Sequence, residues 1–214
     1  MNDKIIRQQK HNLEREDIME GHLGGCSFGG DSGTYYPIMW KNLIEELKIE
    51  SVLDVGCGRG FSGEYFLNLG CDVLGVEGAK EAVDTSLIPE NITQHDYATG
   101  PYVPEKDYDL CWSCEFVEHV EEKYRDNFIE TFKSAKYVAI TYAYPGQGGH
   151  HHVNENTEEY WIEHIEAAGF TFNHELTEKF RKEVKKDIDR YESIPNQPYF
   201  IPHFYYRGLI FERD

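Results

Sequence analysis

Short apolar runs alternate along the chain with amphipathic stretches. The run Ser51-Val52-Leu53-Asp54-Val55 and the segment Tyr108 to Ser113 are nearly continuous in apolar character, as strands covered on both faces require. Cys71 to Glu77, Lys136 to Thr141 and Thr171 to Leu176 read as further strands, and Asn91 to Tyr97 as a shorter one. Helices are expected between them: Ile38 to Leu47 opened by Pro37, Phe61 to Leu69, Glu121 to Lys133, and Thr157 to Ala168 with Thr157 as cap and Gly169 as stop. Tyr206 to Glu212 reads as a last, antiparallel edge strand. Met1 to Glu20 is charged and amphipathic, with Ile5, Ile6, Leu13, Ile18 and Met19 as apolar anchors, and is expected to lie as a helix over the sheet. The alternation predicts an α/β fold with a doubly wound, mostly parallel sheet of seven strands. No linker or repeat interrupts the chain, so residues 1–214 are expected to form one domain, with 1–36 as leading helix and lid.

The strand from Ser51 runs into Gly56-Cys57-Gly58-Arg59-Gly60, and a helix starts near Phe61. Gly56, Gly58 and Gly60 permit a positive φ or close approach of a ligand to the backbone, which is a nucleotide-cradling geometry; the same pattern also serves a tight turn that binds nothing. About twenty residues on, Glu77 ends the next strand, where a carboxylate accepts hydrogen bonds from a ribose diol. Asp96, with Tyr97 beside it, follows the third strand and is placed either for the amine of an adenine or as a turn cap. The three strand ends together describe one adenosine across the carboxyl edge of the sheet.

With Asp54 before the glycine loop and Glu77 after it, this motif resembles that of the class I S-adenosylmethionine-dependent methyltransferases more than that of nicotinamide dehydrogenases. The resemblance implies a Rossmann-like methyltransferase fold and S-adenosylmethionine as methyl donor. It places Asp54 and Gly56 near the amino-acid part of the donor, Gly58 and Gly60 in the cradle, Glu77 at the ribose, and Asp96 with Tyr97 at the adenine. The loop has no cluster of basic residues, consistent with a sulfonium ligand that brings no phosphate charge.

Cys114 to Val120 carries Glu115, Glu118 and His119 at i, i+3 and i+4. On a short helix all three would share one face and converge on a divalent cation; the plainer alternative is a solvated helix start. The triplet is similar to the metal-binding segment of ubiquinone-type O-methyltransferases and of small-RNA 3′-end 2′-O-methyltransferases, and the second resemblance implies a later histidine as fourth ligand. The loop from Pro145 to Thr157 holds His150, His151 and His152, and counting back from the capping Thr157 puts His152 at that ligand, with His151 as its exchange. His151, then His150, is the expected general base, and the mixture of carboxylate and imidazole suits Mg²⁺ or Mn²⁺. The stretch Gly21 to Asp31 and Tyr35-Tyr36-Pro37 is expected to roof the pocket, with Asp31 for acceptor hydroxyls and Tyr142, Tyr144 and Trp161 as apolar faces for a sugar ring.

Charge narrows the acceptors. The formal charge of −18, from 39 acids against 21 bases, repels polyanions, and nucleic acid is therefore a disfavoured partner. The one basic stretch, Lys179, Arg181, Lys182, Lys185 and Lys186, reads as a solvated helix face. Five cysteines without a secretion signal point to a reducing, cytoplasmic compartment, and Cys111 with Cys114 reads as buried small side chains rather than half a zinc site. No apolar run is long enough to span a membrane. The expected function is metal-dependent O-methylation of a sugar hydroxyl, such as that of a terminal deoxysugar of a glycan. The alternatives are an RNA 2′-O-methyltransferase, a catechol or quinol O-methyltransferase, and a non-catalytic methyltransferase-like scaffold.

Overall fold

The structure is a computed structural model that describes residues 18–19, 21–195 and 201–213. Two short strands, β1 (Ile18–Met19) and β2 (Gly25–Cys26), pair antiparallel ahead of the core. The core then runs α1 (Pro37–Leu47), β3 (Ser51–Val55), α2 (Phe61–Asn68), β4 (Asp72–Glu77), α3 (Lys80–Asp84), β5 (Ile92–Gln94) and β6 (Tyr108–Ser113). It continues through α4 (Arg125–Phe132), β7 (Ala135–Ile140), α5 (Glu158–Ala167), β8 (Thr171–Phe172), α6 (His174–Glu192), α7 (His203–Arg207) and β9 (Leu209–Glu212).

Strands β3 to β9 form a seven-stranded sheet in the order β5-β4-β3-β6-β7-β9-β8. Pairs among β3 to β7 are parallel, and β9 is antiparallel to both its neighbours. The direction of winding reverses between β3 and β6, so their carboxyl ends flank the crevice where such sheets bind ligands. In β3 adjacent side chains go to opposite layers, as the two-residue period demands. Leu53 and Val55 join Phe128, Phe132 and Trp161 of α4 and α5, whereas Val52 joins Trp40, Phe66 and Phe180 of α1, α2 and α6. Cys111 and Cys114 likewise lie in different layers, and the cysteines are free thiols.

Several expectations need correction. Residues 1–17 of the expected leading helix lie outside the described residues, and Ile18–Met19 are a strand, because Ile18 pairs with Cys26. The strand from Thr171 stops at Phe172; the Asn173 side chain accepts from the Leu176 amide and starts α6 instead. The last strand is antiparallel as expected but is not an edge: it lies between β7 and β8, and Tyr206 and Arg207 belong to α7. The helix expected from Glu121 begins as a tighter turn at Glu122–Tyr124 and becomes α-helical from Arg125. The residues of the basic stretch on α6 meet carboxylates, Lys179 that of Glu46, Arg181 of Glu158, Lys182 of Glu178, Lys185 of Asp189 and Lys186 of Glu183. Among the described residues no helix is long and apolar enough to cross a membrane.

One buried acid of α6 fastens α1 to the rest of the fold. Asp187 is 5% exposed, and its carboxylate accepts from the backbone amides of Ile38 and Met39, both at 2.9 Å. These are amides of the first turn, which have no partner inside their own helix. Asp187→Ala strands both donors and is expected to cost about 1–3 kcal/mol of stability. Urea denaturation checks it: the midpoint falls while the slope stays at the wild-type value.

Candidate active site

The glycine loop after β3 forms one end of the site. Gly56, Gly58 and Gly60 all have positive φ, at 71°, 53° and 80°. A Cβ at Gly56 would stand 2.3 Å from the Phe116 ring, so this position must be glycine for the loop to pass beneath the β6 segment. Glu77, at the end of β4, accepts from the Gly58 amide through Oε2 and from the Ala79 amide through Oε1, both at 2.8 Å, and so holds the loop in register. Asp54 is 2% exposed, accepts from the Ser62 hydroxyl at 2.5 Å, and is pushed up to about 7 by burial, with the Glu77 charge adding to the effect. Asp96 fills two roles here: Oδ1 caps a turn at the Ala98 amide, 2.8 Å, and Oδ2 lies 2.9 Å from His22 Nε2 of the lid. The ring of Tyr97 is buried against Phe116 and Phe128.

At the other end, Glu118, His119 and His152 come together, each offering an atom within 4.8 Å of the others. The backbone makes this possible. The Glu118 carbonyl accepts from the amides of both Val153 and Asn154, at 2.9 and 3.1 Å, and stitches the histidine loop onto the turn after β6. Gly149, at φ 152°, leaves the space that the His152 ring fills, since a Cβ there would come within 2.5 Å of it. Glu118 has no exposed surface, and neither carboxylate oxygen has a hydrogen-bond partner. Burial, with the Glu115 charge adding, pushes its carboxyl far above the usual range. Burial and the neighbouring His152 lower His119 to about 4, so its imidazole is neutral.

Glu115 does not join this group. The segment is a single tight turn, Val117–His119, and Glu115 precedes it at φ 52°, so the one-face helical spacing does not arise. Thr141 clamps that backbone, accepting from the Glu115 amide at 2.7 Å and donating to Oε1 at 2.8 Å. The Glu115 carboxylate faces His203 Nδ1 at 2.9 Å and Arg207 Nη2 at 3.3 Å. Burial alone would raise Glu115, but the hydrogen bond and charge of His203, with Arg207, hold it below the usual carboxylate range. Burial would lower His203, yet Asp31 and Glu115 together push it up to about 9. With both nitrogens facing carboxylates, His203 Nδ1 donates to Glu115, and Arg207, which also abuts that nitrogen, shares the same carboxylate. Sequence reasoning missed His203 and Arg207; their spacing of four on α7 is the signal that was there to read.

A single cavity of about 380 Å³ joins the two ends, within the range for a bound small molecule. Asp54, Glu77, Asp96, Glu115, His119 and His152 all line it, as do most residues of the segment from His22 to Tyr35. His150 lines it as well, but His151 does not: His151 sits at φ 53° with Nε2 3.0 Å from the His22 carbonyl. The aromatic faces differ from those expected. Trp161 and Tyr142 are buried in the core and Tyr144 is exposed, whereas Tyr35, Trp40, Trp112 and Phe116 line the cavity.

A family model described as a methyltransferase domain matches residues 53–136. The ubiquinone biosynthesis O-methyltransferase of Pelagibacter ubique (strain HTCC1062) is 29% identical over 96 residues, which cover 38% of this chain and 40% of that protein. The match therefore spans less than half of that relative's length. Magnesium protoporphyrin IX methyltransferase from Synechocystis PCC 6803 with bound SAM superposes with a TM-score of 0.55 at 15% identity, over 100% of this chain and 98% of that one. A TehB-like SAM-dependent methyltransferase from Corynebacterium glutamicum ATCC 13032 gives 0.54 at 19% identity, over 84% and 88%. The matched segment carries the acid-flanked glycine loop and Glu77, and the family model, the O-methyltransferase relative and the superposed folds together support a class I S-adenosylmethionine-dependent methyltransferase.

Glu77 supports the loop and faces the cavity, which makes it the sharpest test of the donor end. Glu77→Ala is expected to weaken binding of S-adenosylhomocysteine by roughly tenfold to a hundredfold, the loss of charge-assisted hydrogen bonds. Calorimetric titration reads this directly, with circular dichroism to show that the sheet is retained.

Proposed function

We propose that the protein methylates a hydroxyl oxygen of a small acceptor, with S-adenosylmethionine as donor and a divalent cation held at Glu118, His119 and His152. The observation that carries this reading is the Glu118 carboxylate, fully buried, without a hydrogen-bond partner, beside two imidazoles in the cavity that also holds the glycine cradle. An orphaned buried carboxylate is costly unless a proton or a cation satisfies it. One carboxylate and two imidazoles, one of them kept neutral, fit a cation such as Mn²⁺, with Mg²⁺ the harder alternative. When bound, such a cation lowers the pKa of a hydroxyl that it ligates. When bound, S-adenosylmethionine supplies a methyl group activated by its sulfonium.

The remaining work falls to the chain itself. Glu77 takes the ribose hydroxyls of the donor, and Asp54, Gly56 and Gly58 shape the space beside it, with Asp96 and Tyr97 at the adenine side, while Gly60 lies off the cavity against Ile88 and serves the turn. The exposed His150 at the cavity wall takes the hydroxyl proton, in preference to His151, which the lid occupies. Lid residues His22 to Tyr35 exclude water from the reacting oxygen. Glu115 stands outside the ligand group and contributes a fixed negative charge to the wall.

A sugar hydroxyl is the acceptor we favour, because neighbouring hydroxyls chelate a cation and the −18 charge opposes a phosphate chain. A catechol or quinol ring is the second reading, supported by the aromatic lining of Trp40, Trp112 and Phe116 and by the name of the Pelagibacter relative. Exhaustive chelation is expected to abolish transfer and Mn²⁺ to restore it. Glu118→Gln is expected to weaken Mn²⁺ binding, followed by calorimetry, by about tenfold or more. Metal-free protein with full activity would overturn the cation. A panel of glycosides, catechols and short RNAs with labelled donor decides the acceptor; transfer to the glycosides is the expected outcome, and transfer confined to RNA ends or catechols rejects it.

A further inference from the structure

The lid and the C-terminal segment meet at the cavity wall in a way the donor and cation readings do not use. Asp31 caps the tight turn Ser32–Thr34 by accepting from the Gly33 amide at 2.7 Å. Its other oxygen lies 3.3 Å from His203 Nε2. The opposite ring nitrogen, Nδ1, lies 2.9 Å from Glu115 Oε2. One imidazole thus spans two carboxylates that both line the cavity, while His203 itself lies behind the wall. Around this bridge the two segments are in close contact. A Cβ on Gly33 would come 2.3 Å from the Ile201 carbonyl and 2.8 Å from the His203 ring. The buried Tyr36 hydroxyl accepts from the Phe204 amide at 3.0 Å and donates to the Gly33 carbonyl. The earlier half of the lid is held by other means, through His22 to Asp96 and through the pairing of β1 with β2.

We propose that His203 is a positioning residue that fastens the lid acid Asp31 to the site acid Glu115, so that residues 201–207 set how the second half of the lid closes the cavity. Two links on one ring do this better than two separate side chains, since ordering a single rotamer serves both. Arg207, one turn along α7, reaches the same Glu115 carboxylate beside the His203 ring and helps to hold it in place. The cavity wall is therefore backed by a segment far away in sequence from both acids.

Hydrogen–deuterium exchange on the full-length protein without added ligand tests this. His203→Gln and Asp31→Asn are each expected to speed exchange at the Thr34 and Tyr35 amides by about tenfold or more, the loss of one charged hydrogen bond. The double variant is expected to exchange no faster than the quicker single one, because both remove the same link. Exchange at Gly24 and across β3 and β6 should keep wild-type rates. Unchanged lid exchange in both variants overturns the proposal, and so does full additivity or an acceleration spread evenly over the sheet in Asp31→Asn. Should His203→Gln lose its fold, Asp31→Asn decides alone, since its side chain lies on the half-exposed lid surface. Titration of the same samples with S-adenosylhomocysteine keeps the two readings apart: wild-type protein that fails to bind it sinks the donor assignment, while the exchange rates still judge the bridge.

Discussion

Glu118 is the group on which the rest of the site depends. Placing a carboxylate with no exposed surface beside a second acid is unfavourable by several kcal/mol in its ionised form unless something positive compensates. The backbone around it accepts this arrangement for a structural return, because the Glu118 carbonyl is the atom that draws Val153 and Asn154 onto the turn. Asn154, buried with its amide directed at the Val117 carbonyl, reinforces the same junction. One residue therefore uses its main chain to recruit the histidine loop and its side chain to face what that loop brings.

The two acids of the Cys114 to Val120 segment have been driven apart electrically. Glu115 is held charged by His203 and Arg207, while Glu118 is pushed toward the neutral form by burial and by the charge of Glu115. Two carboxylates three residues apart with such different surroundings can serve different tasks, Glu115 as a fixed charge in the cavity lining and Glu118 as the acid buried behind it. The separation comes from the backbone. Thr141 grips Glu115 in a left-handed conformation that a non-glycine residue adopts only when its surroundings enforce it, and the side chain leaves on the far side of the turn.

Much of this was legible in the chain. The apolar runs located β3, β4, β6 and β7 to within a residue, because buried parallel strands leave a continuous signal. The glycines of the cradle and the acid at the end of β4 were equally plain, since backbone geometry and strand length fix their spacing. Short elements failed where local pattern is weak: β8 has only two residues, and β9 is placed inside the sheet by its pairing with β7 and β8 rather than by anything in its own sequence. At the site, Glu118 and His119 were singled out by spacing and His152 by the resemblance, and the three lie together, but the helical face that was to carry Glu115 with them does not form. The spacing of His203 and Arg207 was there to read, but not their role, which lies in Asp31 and Glu115, 172 and 92 residues away along the chain.

The acidic surface and the buried acid belong to one argument. A net charge of −18 raises the local concentration of small cations and lowers that of phosphate chains around the cavity mouth. The basic residues do little to offset this, since Lys179, Arg181, Lys182, Lys185 and Lys186 of α6 are already paired with neighbouring carboxylates. Inside, the wall adds the ionised Glu115 and the lid adds Asp31, so the field favours a group that donates hydrogen bonds or carries positive charge over one that brings negative charge of its own. Aromatic rings from Tyr35, Trp40 and Trp112 supply the apolar remainder of the lining. The neutral, hydroxylated acceptor proposed above meets these constraints together, whereas the charge of a long polyanion opposes them.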